Sequence, residues 1–117
     1  MSLLLAGRSI LVVEDEPLIA LELQDALAVA GSHVVTAFSL DQALALLNEQ
    51  HWSAAVLDYD LTDGTCVPIS DWLRDHQIPF VVYSGYGEID GSPSYGVHIG
   101  KPAPSRELVG TLEQLLS

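Results

Sequence analysis

Apolar and polar residues follow two different periodicities along this chain, and segments with each periodicity alternate. Short apolar, β-branched runs are typical of buried strands. We predict strands at residues 9–13, 33–37, 53–57, 78–83 and 95–99. Between most of these runs, apolar residues recur every three or four positions, which predicts amphipathic helices packed on a sheet.

Residues with helix-capping chemistry mark where the predicted helices begin and end. The signals are Pro17 and Gly31 around the first helix, Ser39 with Gln42 at the second, Asp63 or Thr65 at the third, and Ser105 at the last. The predicted buried faces are Ile19, Leu23, Ala26, Leu27 and Ala30, then Leu40, Ala43, Leu44 and Leu47, then Ile69, Trp72 and Leu73, and finally Leu108, Leu112 and Leu115.

The segment between the fourth and fifth strands is a poor helix. Residues 84–94 contain Gly85, Gly87, Gly91 and Pro93, so a fourth helix there should be short, distorted or absent. Alternating strands and helices form a parallel sheet covered by helices on both faces. We therefore expect a flavodoxin-like, doubly wound (βα)5 fold, with the strand order 2-1-3-4-5 that is common at this size.

The length and the absence of long apolar runs limit the architecture. A chain of 117 residues suits a single domain, here 1–117. Residues 1–8 form an N-terminal extension, in which Met1-Ser2-Leu3 fits an expression scar and the whole chain fits a domain cut from a longer protein. No apolar run approaches the roughly 20 residues that cross a bilayer, so we expect no membrane association.

Charge and cysteine usage narrow the function further. Four Lys+Arg stand against 16 Asp+Glu, which argues against nucleic-acid binding and favours cations or cationic partners. The single cysteine, Cys66, allows no internal disulfide and makes a reducing compartment, the cytoplasm, the expected location.

Reactive side chains follow four of the five predicted strands. Glu14 and Asp15 follow the first strand, Asp58 the third, Ser84 the fourth and Lys101 the fifth. The carboxyl ends of parallel strands share one edge of the sheet, so these groups should converge. Each has an ordinary structural explanation by itself, such as an acid at a helix start or a serine in a turn, but four coincidences on one edge are improbable.

Converging carboxylates repel one another unless a cation neutralises them. Mg²⁺ suits a few oxygen ligands plus water, and the backbone carbonyl of Asp60 is a further candidate ligand. A hydroxyl and an ammonium beside the ion would hold phosphoryl oxygens. The sequence therefore predicts a carboxylate nucleophile, Asp58, poised for phosphoryl transfer.

The strand-end motifs resemble one family closely. The motifs are Val12-Val13-Glu14-Asp15-Glu16-Pro17, Val56-Leu57-Asp58, Val82-Tyr83-Ser84-Gly85 and Lys101-Pro102. In this order they look like the receiver domain of two-component response regulators, across essentially the whole chain. Such a domain is a phosphorylation switch rather than an enzyme in the usual sense.

The resemblance implies a role for each matching residue. Asp58 would accept a phosphoryl group from a phosphohistidine on a sensor histidine kinase or a histidine phosphotransfer protein. Glu14 and Asp15 would bind Mg²⁺ together with Asp58, while Ser84 and Lys101 would contact the phosphoryl group. The Lys101–Pro102 bond would be cis, and the output would pass to a homodimer or another partner.

The chain also departs from the family pattern. Thr62 stands where the family usually carries proline, and His98 stands where it usually carries the aromatic switch residue. Pro79 to Tyr86 resembles a receiver subclass with a reduced fourth helix. In that case Tyr86 or Tyr95 would be the mobile aromatic residue.

Two alternatives stay open at this stage. Asp58, Asp60 and Thr62 match the D-x-D-x-T motif of haloacid-dehalogenase-type phosphatases, although that family's metal-binding acids come late in the chain and here they come first. The other alternative is a receiver fold that docks partners without phosphorylation. In a phosphorylated receiver, the Asp60 side chain is placed to reach a water that attacks the acyl phosphate.

Overall fold

The chain folds as a sheet with helices on both sides. The computed structural model describes residues 4–85 and 96–117. In chain order the elements are β1 (Ser9–Val13), α1 (Pro17–Val29), β2 (His33–Ala37), α2 (Leu40–Leu46), β3 (Ala54–Asp58), β4 (Asp60–Leu61), β5 (Gly64–Thr65), α3 (Val67–Asp75), β6 (Phe80–Ser84), β7 (Gly96–Gly100) and α4 (Ser105–Leu115).

The main sheet has five parallel strands in the order β2-β1-β3-β6-β7. The two-residue strands β4 and β5 form a separate antiparallel hairpin. Counted over the five main strands alone, this order is 2-1-3-4-5, which confirms the flavodoxin-like prediction. The carboxyl ends of β1, β3, β6 and β7 therefore lie along the same edge of the sheet.

Side chains of the strands alternate between two apolar layers, as the pleat requires. Ile10 and Val12 pack on the face covered by α1 and α4, and Leu11 and Val13 pack on the face covered by α2 and α3. The central strands β3 and β6 are buried along their whole length. This is why their sequences read as continuous apolar runs rather than alternating ones.

The capping prediction for α2 is confirmed, because the Ser39 hydroxyl accepts a hydrogen bond from the Gln42 amide at 3.1 Å. One detail differs from a capping box: the Gln42 side chain accepts from the Phe38 amide, at 2.8 Å, and not from the Ser39 amide. Asp63 also belongs to this helix end and not to α3, because its carboxylate accepts the amides of Leu40 and Asp41. The prediction that Asp63 or Thr65 is the N-cap of the following helix is therefore wrong, and Cys66 occupies the cap position of α3.

Two other local predictions differ from the structure. Pro104, not Ser105, occupies the cap position of α4, and no side chain caps that end. Ile19 and Leu44 were expected to be buried, but they are 37% and 40% exposed. Ala20 takes the buried place next to Ile19, since each helix is rotated by its packing on the sheet.

Some predictions fall on residues that lie outside the described ranges. They include Tyr86, Tyr95 and nearly all of the segment expected to be a poor helix. At the other end of the chain, Leu5 is buried in the layer under α1, and the Gly7 amide donates to the Gly31 carbonyl. No helix within residues 4–85 and 96–117 is long and apolar enough to cross a membrane.

Candidate functional site

The register of the sheet brings acidic residues together at the carboxyl ends of the central strands. Val13 pairs with Leu57, and Asp58 pairs with Tyr83. Glu14 follows Val13 as Asp58 follows Leu57, so Glu14 comes next to Asp58, while its amide donates to the Ala37 carbonyl on the other side of β1. Because side chains alternate along a strand, Glu14, Asp58 and Tyr83 share the face covered by α1 and α4.

Three carboxylates meet at this point. One oxygen from each of Glu14, Asp15 and Asp58 lies within 4.8 Å of the others. Glu14 is fully buried and Asp58 is 3% exposed, while Asp15 is half-buried. Such an all-oxygen cluster could hold a metal ion, and hard divalent cations are the ions that prefer these ligands.

Glu14 is held from two sides. Its Oε1 accepts a hydrogen bond from the Tyr83 hydroxyl at 2.6 Å, and its Oε2 accepts one from the Glu16 amide at 3.2 Å. Burial, followed by the neighbouring Asp58 carboxylate, raises the pKa of Glu14 to about 7 even against these donors. Burial and the bond to Glu14 also raise the pKa of Tyr83, so the phenol keeps its proton and donates it.

Asp15 has a different partner. Its Oδ2 accepts a hydrogen bond from the Thr62 hydroxyl at 2.7 Å. Burial acts to raise the pKa of Asp15, but hydrogen bonds, with that of Thr62 first among them, outweigh it and leave the pKa below its usual value. Asp15 is therefore a carboxylate at neutral pH.

Asp58 is paired with Lys101. The ammonium Nζ lies 3.0 Å from Asp58 Oδ1, and it also lies 5.0 Å from the centre of the Tyr83 ring. The Lys101 side chain is 34% exposed, whereas that of Asp58 is 4% exposed. The ion pair therefore joins a buried carboxylate to a cation at the site's opening, and a hydrogen-bonded charge pair of this kind fixes the carboxylate's orientation.

Ser84 lies beside this pair at the end of β6. It is 3% exposed, and its carbonyl accepts the Lys101 amide at 2.7 Å. The Lys101–Pro102 peptide bond is cis, as the resemblance implied. The hydrogen bond between the Lys101 amide and the Ser84 carbonyl joins the ends of β6 and β7, so Ser84 and Lys101 are adjacent at the edge of the sheet.

The remaining candidates lie farther from the carboxylates or on other faces. Asp60 is exposed, two residues beyond Asp58, in the small hairpin. His98 pairs with Val82 in β7, and burial lowers its pKa. Both of its ring nitrogens are buried, with no hydrogen-bond partner among the described residues.

Sequence reasoning missed the part that Tyr83 plays. It was treated as one more apolar residue of a buried strand, yet its hydroxyl forms the shortest contact to Glu14 described above. The only available signal was its place in the strand. The residue before Ser84 points to the same face as Asp58 once the register is known, and register is not visible in the sequence.

A comparison with known protein families decides what this arrangement is. The sequence model of the response regulator receiver domain matches residues 10–95, which is well over half of the chain. The chain belongs to the response regulator receiver domain family. The matched range includes the acid pair, Asp58 and Ser84, and it favours a receiver domain over the phosphatase-type alternative.

Solved receiver structures share the fold. A response regulator receiver protein from Sinorhizobium medicae superposes with a TM-score of 0.84 at 24% identity, covering 94% of each chain. A CheY-like receiver domain from Methanospirillum hungatei gives 0.82 at 20% identity, covering 95% of this chain and 94% of the other.

A third solved structure carries ligands. The response regulator TrrA from Thermotoga maritima was solved in complex with Mg²⁺-BeF, and it gives 0.81 at 22% identity over 92% of this receiver domain and 98% of TrrA. No curated protein matches the chain in sequence.

Proposed function

We propose that this receiver domain accepts a phosphoryl group on Asp58, with Mg²⁺ as the cofactor, from a phosphohistidine of a sensor histidine kinase or a histidine phosphotransfer protein. The observation that carries the proposal is the pairing of a nearly buried carboxylate with an ammonium 3.0 Å away, inside a cluster of two further carboxylates. A carboxylate in such a setting is a competent nucleophile when its surroundings absorb the charge that develops.

The chemistry follows from which groups touch. A carboxylate oxygen of Asp58 attacks phosphorus and forms an acyl phosphate. The bond from phosphorus to the imidazole nitrogen breaks, and its electron pair returns to the imidazole, which takes a proton from solvent. Lys101 follows the negative charge as it moves from the carboxylate to the phosphoryl oxygens, because its ammonium lies at the opening of the site. The Ser84 hydroxyl is proposed to donate to a phosphoryl oxygen.

The residues present fit a magnesium ion. The cluster offers only oxygen ligands, and burial, followed by the neighbouring Asp58 carboxylate, raises the pKa of Glu14, so a cation held here would offset the negative charge of buried, adjacent carboxylates. Glu14, Asp15 and Asp58 would hold the ion, with the Asp60 carbonyl as a further ligand. When bound, Mg²⁺ supplies positive charge that offsets the negative charge of the carboxylates and of the phosphoryl oxygens.

An apolar surface next to the site suits a phosphodonor protein. Leu18 and Leu21, three residues apart on one face of α1, are 75% and 54% exposed. A cavity of 570 Å³ is lined by Ile19 of the same helix together with Lys101 and Pro104. A partner that covers these side chains would bring a phosphohistidine close to Lys101 and Asp58.

The direct test is phosphorylation of the pure protein. The protein is incubated with acetyl phosphate and Mg²⁺, and intact mass is measured against the same mixture with EDTA. We expect one added phosphoryl group with Mg²⁺, almost none with EDTA, and none in Asp58→Asn, which keeps the shape of the side chain without its nucleophilicity. An equal adduct in Asp58→Asn overturns the proposal. No adduct in any sample supports the receiver that docks partners without phosphorylation.

A further inference from the structure

One of the positions where this chain departs from the family pattern, Thr62, contacts the predicted metal site. Thr62 occupies the place of the usual proline, and its hydroxyl donates to Asp15 Oδ2 at 2.7 Å, although the two residues are 47 positions apart. Proline has no hydroxyl, so a chain with proline here lacks this bond. The role inferred below for Thr62 rests on the proposed function, because it needs a metal ion at the three carboxylates.

Each carboxylate of the cluster has its own donor, and the three donors come from different parts of the fold. The phenol of Tyr83 in β6 serves Glu14, and the ammonium of Lys101 after β7 serves Asp58. Asp15 is bound by neither. Among the side chains of the described residues, the Thr62 hydroxyl and the adjacent Glu14 carboxyl hydrogen-bond to it, and Thr62 is the one that comes from a distant part of the chain.

Thr62 is presented by a rigid turn. It is the first of the two residues at the tip of the β4–β5 hairpin, in which Leu61 pairs with Gly64. Gly64 has φ 150°, a conformation that residues with side chains rarely adopt. The second tip residue, Asp63, fixes the same turn to α2 by accepting the Leu40 amide at 2.8 Å and the Asp41 amide at 3.0 Å.

The hairpin tip therefore joins two neighbouring loops through adjacent side chains. Asp63 attaches it to the start of α2, and Thr62 attaches it to Asp15 after β1. A hydrogen bond from Thr62 to Oδ2 fixes the orientation of the Asp15 carboxylate. The other oxygen, Oδ1, does not receive this hydrogen bond. Hydrogen-bond partners that orient metal ligands in this way raise metal affinity, because less freedom is lost when the ion binds.

We propose that Thr62 is a positioning residue, whose hydroxyl holds the Asp15 carboxylate in the orientation that binds Mg²⁺. It acts through Asp15 and touches neither the ion nor the phosphoryl group. The phosphoacceptor loop would in this way set the affinity of the site for its metal before any phosphodonor arrives.

The experiment titrates Mg²⁺ alone into the purified protein and follows the backbone amides of the site by NMR. Thr62→Val keeps the side-chain shape and removes the hydroxyl, and we expect Mg²⁺ binding to weaken by about threefold to tenfold, the worth of one hydrogen bond. Thr62→Ser keeps the donor and should bind within about twofold of the wild type. Thr111→Val removes a hydroxyl that bonds within α4, and it should leave Mg²⁺ binding unchanged.

Two further readouts separate positioning from a general structural role. The unfolding midpoint without metal should be nearly the same for Thr62→Val and the wild type, because the lost bond is exposed. In an Asp15→Asn background, Thr62→Val should have no further effect on Mg²⁺ affinity, since the two residues would act as one unit.

Three outcomes overturn the inference. If Thr62→Val binds Mg²⁺ as tightly as the wild type, or more tightly, while Asp58 is still phosphorylated, Thr62 does not position Asp15 and the proposed function stands. If the effect of Thr62→Val persists in Asp15→Asn, it does not act through Asp15. If the wild type binds no Mg²⁺, the inference and the proposed metal cofactor fall together.

Discussion

The site at the sheet edge has two halves that are held in different ways. The buried half consists of Glu14, Asp58, Tyr83 and Ser84, none of which is more than 3% exposed. The exposed half consists of Asp15, Thr62 and Asp63, whose hydrogen bonds lie at the surface: Thr62 donates to Asp15, and Asp63 accepts from the start of α2. Lys101 stands between them, with its ammonium on Asp58 and a third of its side chain in solvent.

The difference shows how charge is managed in each half. A buried carboxylate has lost its water, so its donors must come from the protein and their loss is costly. An exposed carboxylate can exchange a protein donor for water, so its hydrogen bonds serve orientation more than stability. We therefore expect changes in the buried half to alter folding and protonation, and changes in the exposed half to alter ligand binding and rates with only small effects on stability.

The largest expected effect is a slower phosphorylation when Lys101, the residue between the two halves, is replaced. Lys101→Met removes the ammonium beside Asp58 and should slow phosphorylation by acetyl phosphate by about a hundredfold, as expected when a preorganised charge is lost. Arg106→Met, which removes one positive charge on α4, is the control and should react at the wild-type rate. The rates are measured by intact mass over time. A rate for Lys101→Met within twofold of wild type would show that the pair is structural only.

In the buried half, the phenol of Tyr83 is expected to matter for stability. Tyr83→Phe removes the phenol donor from the buried Glu14 carboxyl, and it should lower the free energy of unfolding by about 1–3 kcal/mol. Urea denaturation at neutral pH without metal measures this. Tyr59→Phe, at a partly buried tyrosine of the other layer, is the matched control. Equal losses in both variants would contradict a special role for Tyr83.

The pH dependence of stability tests the buried half through the protonation of Glu14. The pKa of Glu14 is raised from 4.5 to about 7, so the folded state binds the proton more tightly than the unfolded chain does. Its contribution to stability is thus complete below pH 4.5 and is lost as pH rises through about 7. In EDTA, the stability of Glu14→Gln relative to wild type should rise by about 1–3 kcal/mol between pH 5 and 8. A constant difference would place the Glu14 pKa near its ordinary value.

Asp60, an exposed residue of the same hairpin as Thr62, is expected to affect the lifetime of the acyl phosphate and not the fold. Its side chain is exposed two residues past Asp58, where it could reach the attacking water. Asp60→Ala should slow the loss of the phosphoryl group several-fold, followed by intact mass after the phosphodonor is removed. Its urea midpoint should stay that of the wild type. An unchanged dephosphorylation rate would remove Asp60 from the mechanism.

The smallest expected effect is at Asp63. Hydrogen bonds from Leu40 and Asp41 hold the pKa of Asp63 below 3.8, so its stabilisation is present above that pH and is lost as pH falls through the lower value of the folded state. Asp63→Asn should melt slightly below wild type at pH 7. The gap should close as the pH falls well below about 4. A gap that does not depend on pH would show that the charge of Asp63 is not what stabilises α2.

The two halves also differ in how well the sequence predicts them. The buried half follows from rules of strand structure. Apolar runs fix the strands, parallel strands bring their ends to one edge, and so Glu14, Asp58, Ser84 and Lys101 could be named in advance as neighbours. Only the contact of the Tyr83 phenol with Glu14 could not be predicted, because the direction of that side chain depends on the register.

The exposed half depends on a two-residue hairpin that periodicity does not reveal. Thr62 and Asp63 sit at its tip, and their partners, Asp15 and the start of α2, are distant in the sequence. Asp63 was therefore assigned to the helix that follows it. The exposure of Ile19 and Leu44 has a similar origin, since the rotation of a helix is set by the sheet that it packs on and not by its own leucines.

The central claim is that Asp58, in the buried half, carries the phosphoryl group. Borohydride reduces an acyl phosphate to an alcohol, so it converts a phosphorylated aspartate into homoserine. After treatment with acetyl phosphate, Mg²⁺ and borohydride, peptide mass spectrometry should find homoserine at position 58 and nowhere else. Homoserine at Asp15 or Asp60, or at no position in a sample whose intact mass shows the adduct, would contradict the account.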